Sequence, residues 1–271
     1  MSFKDFPLLS DKNKNIVLFH PYISKNSLKS LKTVLSGRWI GQGPMVDKFE
    51  NKFTKMFAEK NISVATGSGT DALHMAYILA GLKRGDEVIT TVFTCTATNI
   101  PLLYMGIKIK FADVDPLTMN ISVESVKKLI NKKTKAIICV HYGGLPCDLD
   151  ELNKIAKKYN IPIIEDAAQA LGAKYNNKSI GGIGDFTTFS FQAIKHITTG
   201  DGGILTIKNK KLHNIAKRIG WFGINREGKQ KGTWENDIFE VGYKYQMNDL
   251  GATIGYESLK NFRKIISHRR K

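Results

Sequence analysis

The residues with the most chemistry to offer lie in Phe189-Ser-Phe-Gln-Ala-Ile-Lys-His-Ile-Thr-Thr-Gly-Asp-Gly-Gly203. An apolar run, Phe186 to Phe191, is followed by a single lysine, Lys195. Two threonines and three glycines come next, and then a second apolar run, Ile204 to Ile207. Glycines let the backbone take φ > 0 and approach a bound group closely. A lysine in such a turn has two readings. One is a solvated side chain, the default in a chain with 41 lysines and arginines. The other is an amine held near a carbonyl to form a Schiff base, one of the few covalent roles open to lysine. Four further sites carry similar pairs of readings. Gly67-Ser-Gly-Thr70 opens an apolar helix, either as a plain cap or as an anion cradle of free N–H groups to which Thr70 adds a hydroxyl. Asp166 stands where the apolar strand Ile163-Ile164 stops, as a helix cap or as the anion beside a cationic ring nitrogen. Ser190 is an ordinary strand serine or a phosphate donor. His141, alone at the end of another apolar run, reads best as structural.

These positions are useful together only if the fold gathers them. Hydrophobic patterning predicts helices over Lys25–Leu35, Val46–Phe57, Ala72–Leu82, Thr96–Tyr104, Val123–Ile130, Leu149–Tyr159 and Leu212–Ile219. A last helix starts near Asn248 and runs into Arg270. Between them lie short strands at Ile62–Ala65, Glu87–Thr90, Ile107–Phe111, Ala136–His141 and Ile161–Ile164. Continuous apolar strands alternating with helices imply an α/β fold with a parallel sheet covered on both faces. Such sheets bind ligands beyond the carboxyl ends of their strands. There the cradle, the acid, the hydroxyl and the lysine converge. That is the set a pyridoxal phosphate (PLP) enzyme needs: an amine for the aldehyde, an acid for the pyridine nitrogen, a cradle for the phosphate.

The chain resembles the DegT/DnrJ/EryC1/StrS family of PLP-dependent sugar aminotransferases over about residues 36–262. The likeness is carried by Gly41-Gln-Gly-Pro44, Ser68-Gly-Thr-Asp-Ala-Leu73, Gly85-Asp-Glu-Val-Ile89, Phe93-Thr94, Val114-Asp115, Val140-His141, Glu165-Asp-Ala-Ala-Gln-Ala170, Phe189-Ser-Phe191, Lys195 to Gly203 and Gly242 to Asp249. The resemblance implies fold type I, with a mostly parallel central sheet and helices on both faces. It implies a large PLP-binding domain over residues 1–235, arm included, and over 236–271 the start of a small C-terminal domain whose larger part is missing. It also implies roles. Lys195 binds the cofactor covalently and moves the proton. Asp166 pairs with the pyridine nitrogen, and Gln169 lies against the ring. Ser190, Gly69 and Thr70 bind the phosphate. Cys95 occupies the position where the family commonly stacks an aromatic ring on the cofactor, so stacking is weaker here or comes from elsewhere.

The activity so implied moves an amino group, with glutamate as donor, to a keto group of a nucleotide-linked deoxysugar for surface polysaccharide or glycan synthesis. A homodimer with shared sites follows from the same likeness, and Asn225, Arg226 and Gln246 are where residues reaching the partner's site are expected. Two rivals stand beside it. A PLP-type sugar dehydratase would carry histidine in place of Lys195. A non-catalytic remnant or partner subunit would keep the fold without turnover.

Composition narrows the rest. The 271 residues carry a net charge of +17, with 42% hydrophobic and 24% charged side chains. The lysines are scattered, and only Arg263 to Lys271 is densely basic, which points away from nucleic acid and toward an anionic small substrate. Three cysteines, Cys95, Cys139 and Cys147, show no metal-ligand spacing and suggest a reducing cytoplasm. The chain starts with polar residues and no signal peptide, and no apolar run is long enough to span a bilayer.

Overall fold

A computed structural model of the chain describes residues 20–226, 238 and 240–270. The strands are β1 (Ile62–Thr66), β2 (Glu87–Thr91), β3 (Lys108–Ala112), β4 (Thr134–Val140), β5 (Ile163–Asp166), β6 (Lys174–Tyr175), β7 (Lys178–Ser179), β8 (Phe186–Ser190) and β9 (Gly203–Ile207). The helices are α1 (Asn26–Leu35), α2 (Pro44–Phe53), α3 (Gly69–Leu79), α4 (Thr96–Tyr104), α5 (Val123–Leu129), α6 (Leu149–Tyr159), α7 (His213–Ile219), α8 (Asp249–Lys260) and α9 (Phe262–Arg269).

Seven strands form one sheet in the order β1-β9-β8-β5-β4-β2-β3. Strands β2, β3, β4, β5 and β8 run parallel; α4, α5 and α6 cross over between the first four, whereas β5 reaches β8 through the segment that holds β6 and β7, with no helix. β9 departs from this by running antiparallel to both of its neighbours. It follows β8 through the Lys195 loop and returns in the opposite sense. β6 and β7 pair as a small separate hairpin that the hydrophobic pattern does not signal.

Two apolar layers sandwich the sheet. One gathers Phe49 and Phe53 of α2, Leu152 and Ile155 of α6, Leu259 of α8 and Ile265 of α9 against Ile89, Ile137 and Phe189 of the strands. The other packs Leu73 and Tyr77 of α3, Leu102 of α4 and Ile219 of α7 against Val64, Val88, Ile138 and Leu205. Successive strand residues face opposite sides, so nearly every position of β4, β8 and β9 is buried. The expected helix over Val46–Phe57 is α helical only to Phe53 and continues as a π turn over Thr54–Ala58. The expected last helix is two, α8 and α9, meeting at Asn261.

The segment after residue 240 is built into this layer structure. α8 packs on α1 and α2. The buried Asp249 carboxylate accepts the N–H groups of Gly43 at 2.8 Å, Met45 at 3.1 Å and Val46 at 3.0 Å. The Gly43 and Met45 donors lie at the start of α2, where intrahelical partners are lacking, and Val46 shares its N–H with the Gly43 carbonyl at 3.1 Å. Pro44, at the first position of α2, has no N–H to satisfy.

Candidate active site

The parallel relation of β1, β8, β5 and β4 brings Thr66, Ser190, Asp166 and Val140 to one edge of the sheet. Thr66 and Ser190 are both paired to Gly203, the first residue of β9, and Asp166 lies level with Thr188 and Val140.

α3 begins at that edge. Ser68 caps it, its hydroxyl accepting the Asp71 N–H at 3.0 Å, and the Thr66 hydroxyl donates to the Ser68 carbonyl at 2.8 Å. Two glycines allow this first turn to lie down on the sheet. A Cβ on Gly203 would sit 2.3 Å from the Ser68 carbonyl oxygen and 2.7 Å from the Gly69 nitrogen. A Cβ on Gly69 would sit 2.8 Å from Cβ of Ser190. The helix N-terminus with its unpaired N–H groups and positive dipole end therefore abuts the Ser190 hydroxyl, and Gly69, Thr70 and Ser190 are half-buried. Such a turn, with a hydroxyl beside free N–H groups, suits an anion.

Asp166 ends β5 and is almost fully buried. Its Oδ1 accepts the Ala168 N–H at 3.0 Å, and its Oδ2 accepts the Thr98 hydroxyl at 2.7 Å. The partners so placed are donors, which suits an ionised carboxylate. Burial, and after it the charge of Asp166, pushes the Tyr77 phenol well above its ordinary range. Gln169, half-buried, accepts the Gly143 N–H at 2.8 Å through Oε1. Gly144, at φ +87°, lies against the Gln169 carbonyl, where a Cβ would come within 3.0 Å.

Lys195 sits in a loop closed at its base. Phe191 donates its N–H to Gly202 at 2.8 Å and accepts the Thr199 N–H at 3.0 Å and the Thr198 hydroxyl at 2.9 Å. Gly200, at φ +87°, makes the return turn. α8 backs the loop with two glycines; a Cβ on Gly255 would meet Cγ2 of Thr199 at 2.6 Å. Lys195 itself is half-buried, donating its N–H to the Gln192 carbonyl at 2.9 Å. His196 beside it is pushed down to about 4, by burial foremost and then by Arg269, Lys195 and Arg270, so its ring is neutral near pH 7.

Cys95 is exposed at the cap of α4, one turn before Thr98. The aromatic pair nearby in sequence is Phe93 with Tyr142, ring centroids 4.6 Å apart. Gln246 forms a single bridge with Thr66. Arg226 donates to the Gln42 carbonyl and lies over the Trp221 ring, while Asn225 is exposed.

Three features escape the sequence reading. Glu165, next to Asp166 and so facing the opposite side of β5, is fully buried and accepts from His141 Nε2 at 2.8 Å and from the Thr187 hydroxyl at 3.1 Å. His141 is thus structural, as expected, but its partner was hidden in the Glu165-Asp166 pair, whose two consecutive carboxylates at an apolar strand end are the usable signal. Thr98, the hydroxyl on Asp166, carries no signal at all. The cysteines, without metal spacing in sequence, do meet in space: Cys139, His141 and Cys147 place their ligand atoms within 4.8 Å of one another. Two of these three side chains have their bonds elsewhere. His141 Nδ1 accepts the Cys147 N–H at 3.1 Å, and the Cys147 thiol donates to the Val140 carbonyl at 3.1 Å. The cluster is a buried polar knot tied to the end of β4 by these bonds.

The DegT/DnrJ/EryC1/StrS aminotransferase family model matches residues 21–271, and the chain belongs to that family. It is 42% identical over 246 residues to protein MJ1066 of Methanocaldococcus jannaschii, covering 89% of this chain and 64% of that protein. It is 35% identical over 260 residues to GDP-perosamine synthase of Escherichia coli O157:H7, covering 95% and 69%. The PLP form of the putative sugar aminotransferase Spr1654 from Streptococcus pneumoniae superposes with a TM-score of 0.87 at 28% identity, over 94% of this chain and 69% of that one. The chain thus spans about two thirds of the length of the relatives it matches. The family is PLP-dependent, and the fold is that of its sugar aminotransferases. The residues fit the cofactor: the cradle that a Cβ at Gly69 or Gly203 would fill takes a phosphate, and the buried, donor-surrounded Asp166 takes a cationic nitrogen.

Proposed function

We propose that this protein transfers an amino group, from glutamate as donor, to a keto group of a nucleotide-linked deoxysugar destined for polysaccharide or glycan. The observation that carries the reading is the placement of a lone lysine, Lys195, in a pinned loop that leaves the same sheet edge as the α3 cradle and Asp166. GDP-perosamine synthase among the relatives supports a nucleotide-linked substrate. The net charge of +17 suits a dianionic diphosphate.

Bound PLP supplies an electron sink for carbanion chemistry at the amino-bearing carbon. Around it, Lys195 holds the cofactor and then shuttles the proton. Asp166 keeps a proton on the ring nitrogen, Gln169 lies against the ring, and Gly69, Thr70 and Ser190 take the phosphate. Cys95, at the position where the family commonly stacks an aromatic ring, would supply no aromatic surface to the cofactor. We assign the working form as a cytoplasmic homodimer, with Asn225, Arg226 and Gln246 toward the partner's site.

The test is covalent. Borohydride reduction of the PLP-loaded protein, followed by peptide mapping, is expected to tag Lys195 alone, and Lys195→Ala to abolish the tag with the fold intact. Asp166→Asn is expected to cripple turnover with glutamate far more than cofactor binding. A tag on another lysine, or wild-type turnover in Asp166→Asn, refutes the assignments.

A further inference from the structure

We propose that Thr98, supported by Thr94, is a positioning residue that holds Asp166 in its ionised, cofactor-facing state; the inference rests on the reading of Asp166 as the partner of the cofactor's ring nitrogen. Thr98 lies in the first turns of α4 and is completely buried. A threonine in a helix ordinarily turns its hydroxyl back to the carbonyl four residues earlier. Here the hydroxyl instead leaves its own helix, reaching Asp166 Oδ2 at 2.7 Å, while Thr94 Oγ1 stands 2.7 Å from Thr98 Oγ1.

The direction of these bonds follows from the charge. A hydroxyl has one proton. With Asp166 ionised, the Thr98 proton points to the carboxylate, and Thr94 must donate to Thr98. The row then reads Thr94 to Thr98 to Asp166, each member donating to the next. Were Oδ2 to carry a proton and donate it to Thr98, both bonds in the row would have to reverse. The second carboxylate oxygen takes the Ala168 N–H at 3.0 Å, which is a donor that cannot reverse. The arrangement as a whole therefore favours the anion.

The backbone of Thr98 is tied down as well. Tyr77 of α3, fully buried, donates its phenol to the Thr98 carbonyl at 2.7 Å. α3 is the helix whose first turn forms the phosphate cradle, so one helix braces both ends of the site. An acid that gains a hydrogen bond to its charged form is the weaker base. In a poorly hydrated site that difference decides whether the shared proton stays on the ring nitrogen or passes to the carboxylate. Thr98 keeps it on the ring.

The test uses the full chain reconstituted with PLP labelled with ¹⁵N in the ring, read by the nitrogen chemical shift and by cofactor affinity. Thr98→Val, which keeps the shape and removes the hydroxyl, is expected to move the nitrogen signal toward the unprotonated form. Loss of one charge-assisted bond weakens the preference roughly ten- to hundredfold. Thr98→Ser is expected to restore the wild-type signal. Thr94→Val, at a half-buried position, is expected to shift it in the same direction by less, and serves if Thr98→Val does not fold. A wild-type nitrogen signal in Thr98→Val or Thr94→Val, alongside an altered one in Asp166→Asn, overturns the role of Thr98. A wild-type signal in Asp166→Asn overturns the reading of Asp166 and the inference with it.

Discussion

Gly203→Ala tests the idea that the phosphate cradle exists because two backbones touch. Gly203 is not among the glycines at positive φ, so alanine is compatible with its torsion angles. The obstacle is contact: the new methyl would lie 2.3 Å from the Ser68 carbonyl oxygen, 2.5 Å from its carbon and 2.7 Å from the Gly69 nitrogen. All three are main-chain atoms, which no rotamer change can move aside. Relief requires the first turn of α3 to lift by about an ångström, away from Ser190. Overpacking of this kind costs about 1–3 kcal/mol. For a chain of this size each kcal/mol lowers Tm by about 2–4 °C. We expect a fall of about 2–12 °C. The informative control is Gly81→Ala at the opposite end of the same helix. Gly81 has φ +77° and nothing within 4 Å of an added Cβ, so its cost is torsional and far from the cradle. Thermal unfolding and PLP affinity are measured on both. Both variants should lose stability, but only Gly203→Ala should lose PLP affinity, by tenfold or more. Equal PLP affinity in Gly203→Ala and wild type would show that the first turn of α3 does not hold the phosphate.

Other consequences are open to measurement. Glu165→Ala removes the acceptor of both His141 and the Thr187 hydroxyl in a fully buried place, and should cost about 3–5 kcal/mol by urea unfolding; a loss below about 1 kcal/mol would contradict the pairing. His196 is held neutral in the folded chain, its value lowered from 6.5 to about 4. The unfolded chain therefore binds its proton first as pH falls, so stability is full above about pH 6.5 and declines toward about pH 4, by roughly 2–3 kcal/mol after allowance for partial exposure. His196→Gln should flatten that part of the stability profile, and an unchanged slope between those pH values would refute it.

The regular elements were legible because the parallel sheet writes itself as apolar runs. Thr96–Tyr104 and Leu149–Tyr159 appear with the boundaries that patterning gives them. The direction of β9 was not legible, since an apolar run has no sense of its own. Asn261, which divides α8 from α9, interrupts no hydrophobic period and left no trace. Of the site, the glycine and lysine positions could be read from local sequence, because each serves a torsion or a reaction that few residues can serve. Glu165, Thr98 and the Cys139–His141–Cys147 knot could not. Their roles depend on partners as far as 68 residues away, and such pairings are set by packing rather than by any local pattern.

The capping of α2 by Asp249 also sets a timetable for the chain's birth. The Gly43 donor and its acceptor are 206 positions apart. At about 5–20 residues per second, the ribosome delivers Asp249 some 10–40 s after Gly43. A helix, by contrast, forms within about a microsecond. Through that interval the Gly43 and Met45 donors lack the Asp249 carboxylate, and Phe49 and Phe53 are short of part of their cover, for Phe191 and Gly255, which touch Phe49, are also made late. The start of α2 thus completes its native hydrogen bonds only after residue 249 has been made. Its nascent chains should depend on holding factors most heavily just before residue 249 emerges.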